Sequence, residues 1–134
     1  MAADFRCTIV TPDRAVFDGA VSYVSLPAWD GQVGVMSGRA PLLARLGIGS
    51  LRLDLAGGGT KWYLIDSGFA QVKDDVVTIL SERAEAAEGI DPQQAREDLL
   101  AANARAVSSQ VDREEVEADQ ERARVRTRLA ARRG

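Results

Sequence analysis

Residues 50–66 read SLRLDLAGGGTKWYLID. In the first six, Leu51, Leu53 and Leu55 alternate with Ser50, Arg52 and Asp54, the period of two that sends every second side chain of a strand to the same face. Gly57, Gly58 and Gly59 follow, and glycine takes the positive φ of a tight turn at no steric cost, so the chain is expected to reverse there and return through KWYLID. A strand that is apolar on one side buries one side only. It therefore needs a second layer facing it.

Working outward from this hairpin, FRCTIVT, RAVFD, VSYVSLPA, QVGVM, APLLARL, FAQVK and VVTILS are further short runs rich in Val, Ile, Leu and aromatics, bounded by Gly, Asp or Pro. Asp18-Gly19 and Asp30-Gly31 are hairpin signals, and Asp74-Asp75 is a weaker one. The expected architecture is a mainly β N-terminal domain over residues 1–88, with two sheets packed as a sandwich or flattened barrel. Trp62, in an alternating strand, is expected in the core. Trp29, beside a turn, fits either packing or recognition.

Near Ala84 the composition shifts to Ala, Glu, Gln and Arg, and the period lengthens. Asp91-Pro92 predicts a helix start, with Asp as cap and Pro in the first helical position. Ala95, Leu99, Ala102 and Ala106 then fall on one stripe. A break at Ser108-Ser109 leads to a second helix, with Asp112 and Glu115 as its capping pair, running to about Arg132. Two helices joined by a short turn fold back as an antiparallel hairpin, so residues 89–134 are expected to form a two-helix C-terminal domain. The second helix offers Val116, Ala123, Val125 and Leu129 to the seam. Alanines bury little apolar area, at about 25 cal/mol per Å², so the hairpin needs a partner surface.

Function is constrained first by what is missing. The 134 residues contain no histidine and one cysteine, Cys7, which excludes intramolecular disulfides, His/Cys zinc sites and histidine-based acid–base catalysis. The net charge of −3 shows no basic excess of the kind nucleic-acid binding requires. No apolar run approaches membrane-spanning length, and the N-terminus lacks a signal-peptide layout, so the chain is expected to stay in a reducing cytoplasm. The stretch 29–49, WDGQVGVMSGRAPLLARLGIG, is glycine-dense, but Gly31, Gly34, Gly38, Gly47 and Gly49 match neither GxGxxG nor GxxxxGK[ST], and no helix follows. These glycines are read as turns and bulges.

Charge along the last helix is divided. Residues 112–121 carry Asp112, Glu114, Glu115, Glu117, Asp119 and Glu121 against Arg113, while residues 122–133 carry Arg122, Arg124, Arg126, Arg128, Arg132 and Arg133 with no acid. One reading is complementarity to the helix dipole with a solvated face. The other is an arginine-bearing arm whose guanidinium forks dock on carboxylates of a protein surface.

The motifs in order resemble one family. FRCTIVTPDRAVFDG, DGQVGVMSGRAPLLARLGIGSLRL and YLIDSGFAQVKDDVVTILSERA, followed by a helical hairpin, are similar to the epsilon subunit of rotary F-type ATP synthases across essentially the whole chain. The resemblance implies a sandwich of about ten strands, no catalytic residue, and a place on the central stalk of a proton-translocating ATP synthase, binding the gamma subunit and the ring of c subunits. It implies that the turn Asp30-Gly31-Gln32 contacts the c-ring, with Gln32 where an acid is usual. It also implies that Arg122, Arg124, Arg126 and Arg128 press on the alpha and beta subunits when the hairpin extends, inhibiting ATP hydrolysis.

Some members of that family bind ATP through a motif like I/L-D-x-x-R-A. The counterpart here, Ile90, Asp91 and Ala95, has Gln94 in place of the arginine, so neither ATP nor any other cofactor is expected. The implied location is the cytoplasmic face of the bacterial inner membrane, peripheral through the complex. The rival reading is a free-standing β-sandwich binding module with a helical tail.

Overall fold

The structure is a computed structural model and describes residues 4–105, 107 and 109–132. Six strands, β1 (Phe5–Val10), β2 (Ala15–Ala28), β3 (Gly31–Val35), β4 (Leu42–Leu55), β5 (Thr60–Lys73) and β6 (Val76–Ala86), precede a short 3₁₀ turn at Ala87–Gly89. Two helices follow, α1 (Pro92–Asn103) and α2 (Gln110–Arg132). The sheet order is β1-β6-β5-β4-β2-β3, and an additional β1–β2 pairing closes five of the strands into a flattened barrel with β3 at its edge. β1 and β6 run parallel, and every other pair is antiparallel. The expected mainly β sandwich followed by a helical hairpin is the fold observed.

The nine apolar runs merge into six strands because three strands, β2, β4 and β5, are 14 residues long and pass through both layers. APLLARL and SLRLDL are the two halves of β4; KWYLID and FAQVK are the two halves of β5. Asp18-Gly19 is accordingly not a hairpin. Gly19 lies inside β2 opposite Cys7 of β1, in continuous register from Phe5 to Ile9. The β1–β2 reversal instead uses Thr11 to Arg14, where the Thr11 amide donates to the Arg14 carbonyl at 2.9 Å. β6 likewise outruns VVTILS, because its pairing with β5 continues to Tyr63 opposite Ala86.

The inward face changes along these long strands. In β5, Tyr63 and Ile65 point into the core at one end and Ala70 and Val72 at the other, so odd gives way to even between Ile65 and Ala70. Ser67 and Gly68, with φ of 62° and 134°, sit at that change. In β4 the same switch occurs between Leu46 and Leu51. Turn readings elsewhere hold: Gly58 and Gly59 take positive φ between β4 and β5, and Asp74 and Asp75 both take the left-handed φ of a two-residue hairpin between β5 and β6.

The main core packs Phe5, Cys7, Ile9, Val21, Val24, Leu26, Leu51, Leu53, Tyr63, Ile65, Val77 and Ile79 between the two layers. Cys7 is fully enclosed there. Desolvation, with the Asp18 carboxylate adding to it, pushes its thiol up to about 12, so almost none is thiolate at neutral pH and the residue serves packing.

A second, smaller core lies on the outer face of one half-sheet, where Leu64, Ala87, Ile90, Ala95, Val125, Leu129 and Ala130 pack with Ile48 and Trp62. Trp62 is thus a packing residue, half-buried beneath the helices and not inside the barrel. The two helices run antiparallel: Gln120 donates to the Ala102 carbonyl at 3.2 Å and Thr127 to the Ala95 carbonyl at 3.3 Å. Of the expected α1 stripe, Ala95 and Ala102 are buried, Leu99 is half-buried, and Ala106 lies outside the described residues. So does Ser108. α2 starts earlier than expected, at Gln110, with the Ser109 hydroxyl accepting from the Asp112 amide at 3.1 Å.

Candidate functional site

The turn between β2 and β3 is built by two pairings, Pro27 with Gln32 and Ala28 with Gly31, which leave Trp29 and Asp30 to make the reversal. Gly31 takes φ of 138°, open to glycine and costly for any residue with a Cβ. Asp30 and Gly31 are exposed at the tip, and Trp29 is 70% exposed, so it is not packed into the core. Gln32 behaves differently. Its carbonyl oxygen accepts from the Ser25 hydroxyl at 2.8 Å and its amide donates to the Ser50 carbonyl at 3.3 Å, so the side chain is folded back along the sheet.

The arginines of α2 divide into two pairs. Arg122 donates to Asp66 at 2.6 Å and Asp119 at 2.7 Å, and Arg126 donates to Glu85 at 2.9 Å and Asp98 at 2.9 Å. Burial alone would lower both guanidinium pKa values. The carboxylates beside them, Asp66 and Asp119 for one and Glu85 and Asp98 for the other, more than offset it and hold both above the ordinary arginine range. Among the described residues, Arg124 and Arg128 instead pair with Glu121 of their own helix, at 3.1 and 3.9 Å. The second pair faces solvent, whereas the first is engaged with carboxylates of the chain's own sheet and helices. Arg133 lies outside the described residues.

The nucleotide-like segment has other duties. Asp91 caps α1, accepting from the Gln93 and Gln94 amides at 2.9 and 3.4 Å. Ile90 and Ala95 are wholly buried in the small core beside Val125 and Leu129. Gln94, where a guanidinium would be needed, donates to Asp98 at 2.9 Å. Asp91→Ala is expected to lower stability by about 1 kcal/mol, the usual cost of a lost N-cap, read as a shift in the denaturant midpoint at unchanged slope.

One feature escaped sequence reasoning. On the half-sheet that the helices leave bare, Phe69 of β5 pairs with Leu80 of β6, Val10 of β1 lies beyond Leu80, and Leu43 of β4 stands diagonal to Phe69. Leu43, Phe69 and Leu80 are 72%, 53% and 53% exposed. Beside Phe69 and Leu80, with Val10 and Pro12, opens a shallow pocket of about 370 Å³. The signal was present: these residues sit at the positions of APLLARL, FAQVK and VVTILS that alternate with the core residues, where a solvated strand would carry polar side chains.

Residues 4–87 match the family model described as "ATP synthase, Delta/Epsilon chain, beta-sandwich domain". The chain belongs to the epsilon-chain family of ATP synthases. The ATP synthase epsilon chain of Rhodopirellula baltica is 45% identical over 97 residues, covering 72% of this chain and 75% of the relative. The chloroplastic epsilon chain of Guillardia theta is 38% identical over 124 residues, 92% of this chain and 94% of its own length. In solved structures, a chain of the Euglena gracilis mitochondrial ATP synthase, in an assembly of OSCP, F1 and c-ring, superposes with a TM-score of 0.84 at 26% identity, covering 98% of this chain and 82% of that one. A chain of the Tetrahymena thermophila central stalk and c-ring shares the fold, with a TM-score of 0.64 at 17% identity over 92% and 93% of the two chains.

An epsilon chain is a non-catalytic subunit of its complex, in keeping with a chain that offers neither histidine nor an ionised thiol. No helix among the described residues is long and apolar enough to cross a membrane.

Proposed function

We propose that this epsilon chain is a central-stalk subunit of a proton-translocating bacterial ATP synthase, on the cytoplasmic face of the inner membrane. It binds gamma and the c-ring, couples proton flow to ATP synthesis, and restrains ATP hydrolysis through α2. The observation that carries this reading is the bare apolar face of Leu43, Phe69 and Leu80, on a sandwich whose other outer face is already covered by its own helices. Monomeric proteins rarely leave such a patch to water unless it is a contact surface, so this face is assigned to gamma. The tip Trp29-Asp30-Gly31 is assigned to the c-ring, with Gln32 bracing the turn from behind. The β part, residues 1–88, is proposed as the assembly unit and residues 89–134 as the regulatory one.

Phe69→Glu together with Leu80→Glu is expected to weaken gamma binding by more than about tenfold, because both charges would have to be desolvated at the contact. An unchanged affinity, with the variant folded by circular dichroism, would sink the assignment. Arg124→Ala with Arg128→Ala removes guanidiniums whose ion pairs among the described residues are with Glu121 of the same helix, so the hairpin should stay docked. ATPase activity of the assembled complex is expected to rise; an unchanged rate would remove these two from the inhibitory set. No nucleotide is assigned to the chain, since Ile90 and Ala95 are enclosed and Asp91 is engaged as a cap.

A further inference from the structure

Arg122 and Arg126 stand one helical turn apart, and each guanidinium is shared between carboxylates from different parts of the chain. Arg122 reaches Asp66 of β5 through Nε and Asp119 of α2 through Nη1. Arg126 reaches both oxygens of Glu85 of β6, at 2.9 and 3.4 Å, and Asp98 of α1 through Nη1. Their side chains are 22% and 19% exposed, against 47% and 66% for Arg124 and Arg128. The partner carboxylates are held in turn: Asp66 accepts from the Ser67 hydroxyl at 3.3 Å and Asp98 from the Gln94 amide at 2.9 Å. Beside them lies a pocket of about 360 Å³ lined by Arg83, Arg105, Arg122 and Arg126, with Asp98 and Asp119 in the same wall. Arg122 and Arg126 therefore carry their counter-charges with them, and Arg105 pairs with Asp119 as well.

We infer that these fork bridges are a latch that holds the helical hairpin on the sandwich without any bound anion. Three facts combine. The apolar contact beneath α2 is small and includes three alanines, so it leaves room for polar contacts to decide docking. The bridges to Asp66 and Glu85 tie α2 to β5 and β6, so releasing the hairpin breaks both together, while the bridge to Asp98 of α1 holds the two helices to each other. Removing one partner of a half-buried pair leaves a guanidinium or a carboxylate desolvated and uncompensated, which costs more than the pair itself contributes. The regulatory consequence, that α2 becomes available to other subunits only when Asp66 and Glu85 let go of it, rests on the inhibitory role proposed above. The latch itself does not.

The test is hydrogen exchange on the full-length free chain. In Asp66→Asn with Glu85→Gln, backbone amides of residues 116–130 are expected to exchange about tenfold or more faster, while those of 51–53 in β4 keep their protection. Arg122→Lys with Arg126→Lys, which keeps the charge and loses the fork, should accelerate the same helix by a smaller factor. In a Trp29→Phe background, emission from Trp62 should move to the red as the helix above it opens. Unchanged exchange in α2 overturns the latch, and so does equal acceleration of helix and sheet, which would mean global destabilisation. Slowing of α2 exchange in the unaltered chain by added ATP or inorganic phosphate would overturn the claim that no anion is needed. A latch that fails here while the Arg124/Arg128 variant still raises ATPase would leave the inhibitory role standing.

Discussion

Gly68→Ala is expected to prevent folding of the sandwich. Gly68 lies in mid-strand, where β5 pairs with both β4 and β6: its partners are Leu46 on one side and Ser81 on the other. A Cβ there would stand 1.9 Å from the carbonyl oxygen of Leu80 and 2.9 Å from Ser81 Cα. Both obstacles are backbone, so no side chain can swing aside, and the strands would have to separate at the centre of the sheet. The φ of 134° adds strain for any L residue. A loss of about 4 kcal/mol or more belongs to the exceptional class of single substitutions and is a large fraction of the stability of a domain this size. The measurement is urea unfolding by circular dichroism beside Gly57→Ala, where nothing lies within 4 Å. Gly57→Ala should leave the midpoint nearly unmoved. A folded Gly68→Ala chain with a near-native midpoint would refute the account of how β5 turns its face.

Leu129→Ala is the second large effect, and it is expected to be local. Leu129 is 1% exposed in the small core and, with Leu64, Ile90 and Val125, is one of its few large side chains. Truncating a buried leucine costs about 2–5 kcal/mol, the spread reflecting how far the site collapses. The alanines around it offer little to collapse, so the upper part of that range applies. The loss falls on the contact between hairpin and sandwich, while the barrel core shares none of these residues. Exchange protection should fall across α2, and thermal melts should separate into an early helical transition and a later one for the sheet. A single cooperative transition lowered as a whole would show that hairpin and barrel fold as one unit.

Much of the fold was legible because its signals are local. The alternation in SLRLDL, the glycines at 57–59 and the Asp91-Pro92 start act within a few residues, and each lies where it was expected. What local signals missed was continuity. Gly19 and Gly68 punctuate the sequence as turns do, yet they lie inside strands, Gly19 held opposite Cys7 of β1 and Gly68 between Leu46 of β4 and Ser81 of β6. The second helix starts at Gln110, two residues before the expected Asp112, because the Ser109 hydroxyl already accepts a first-turn amide.

The site was legible in part. Arg122 and Arg126 do meet carboxylates, but their partners Asp66, Glu85 and Asp98 come from 28 to 56 residues away and no spacing rule announces them. Ile90, Asp91 and Ala95 keep the spacing of a ligand motif while filling structural places, as a core residue, a cap and a helix contact. The apolar outer face went unseen because a strand exposed on one side and a strand covered on both read alike until the helices are placed.

The 14-residue strands carry a mechanical consequence. β4 and β5 each run unbroken through both layers, a contour of up to ~45 Å at about 3.3 Å per residue. The face under α2 and the bare face of Leu43 and Phe69 are therefore opposite ends of the same two ribbons, joined by covalent backbone and a continuous ladder of hydrogen bonds. Load entering at one end travels in tension along these ribbons, with no slip plane between two separately folded sheets. A body made this way twists as one piece, which is the elastic property that a part carried round by a rotor requires.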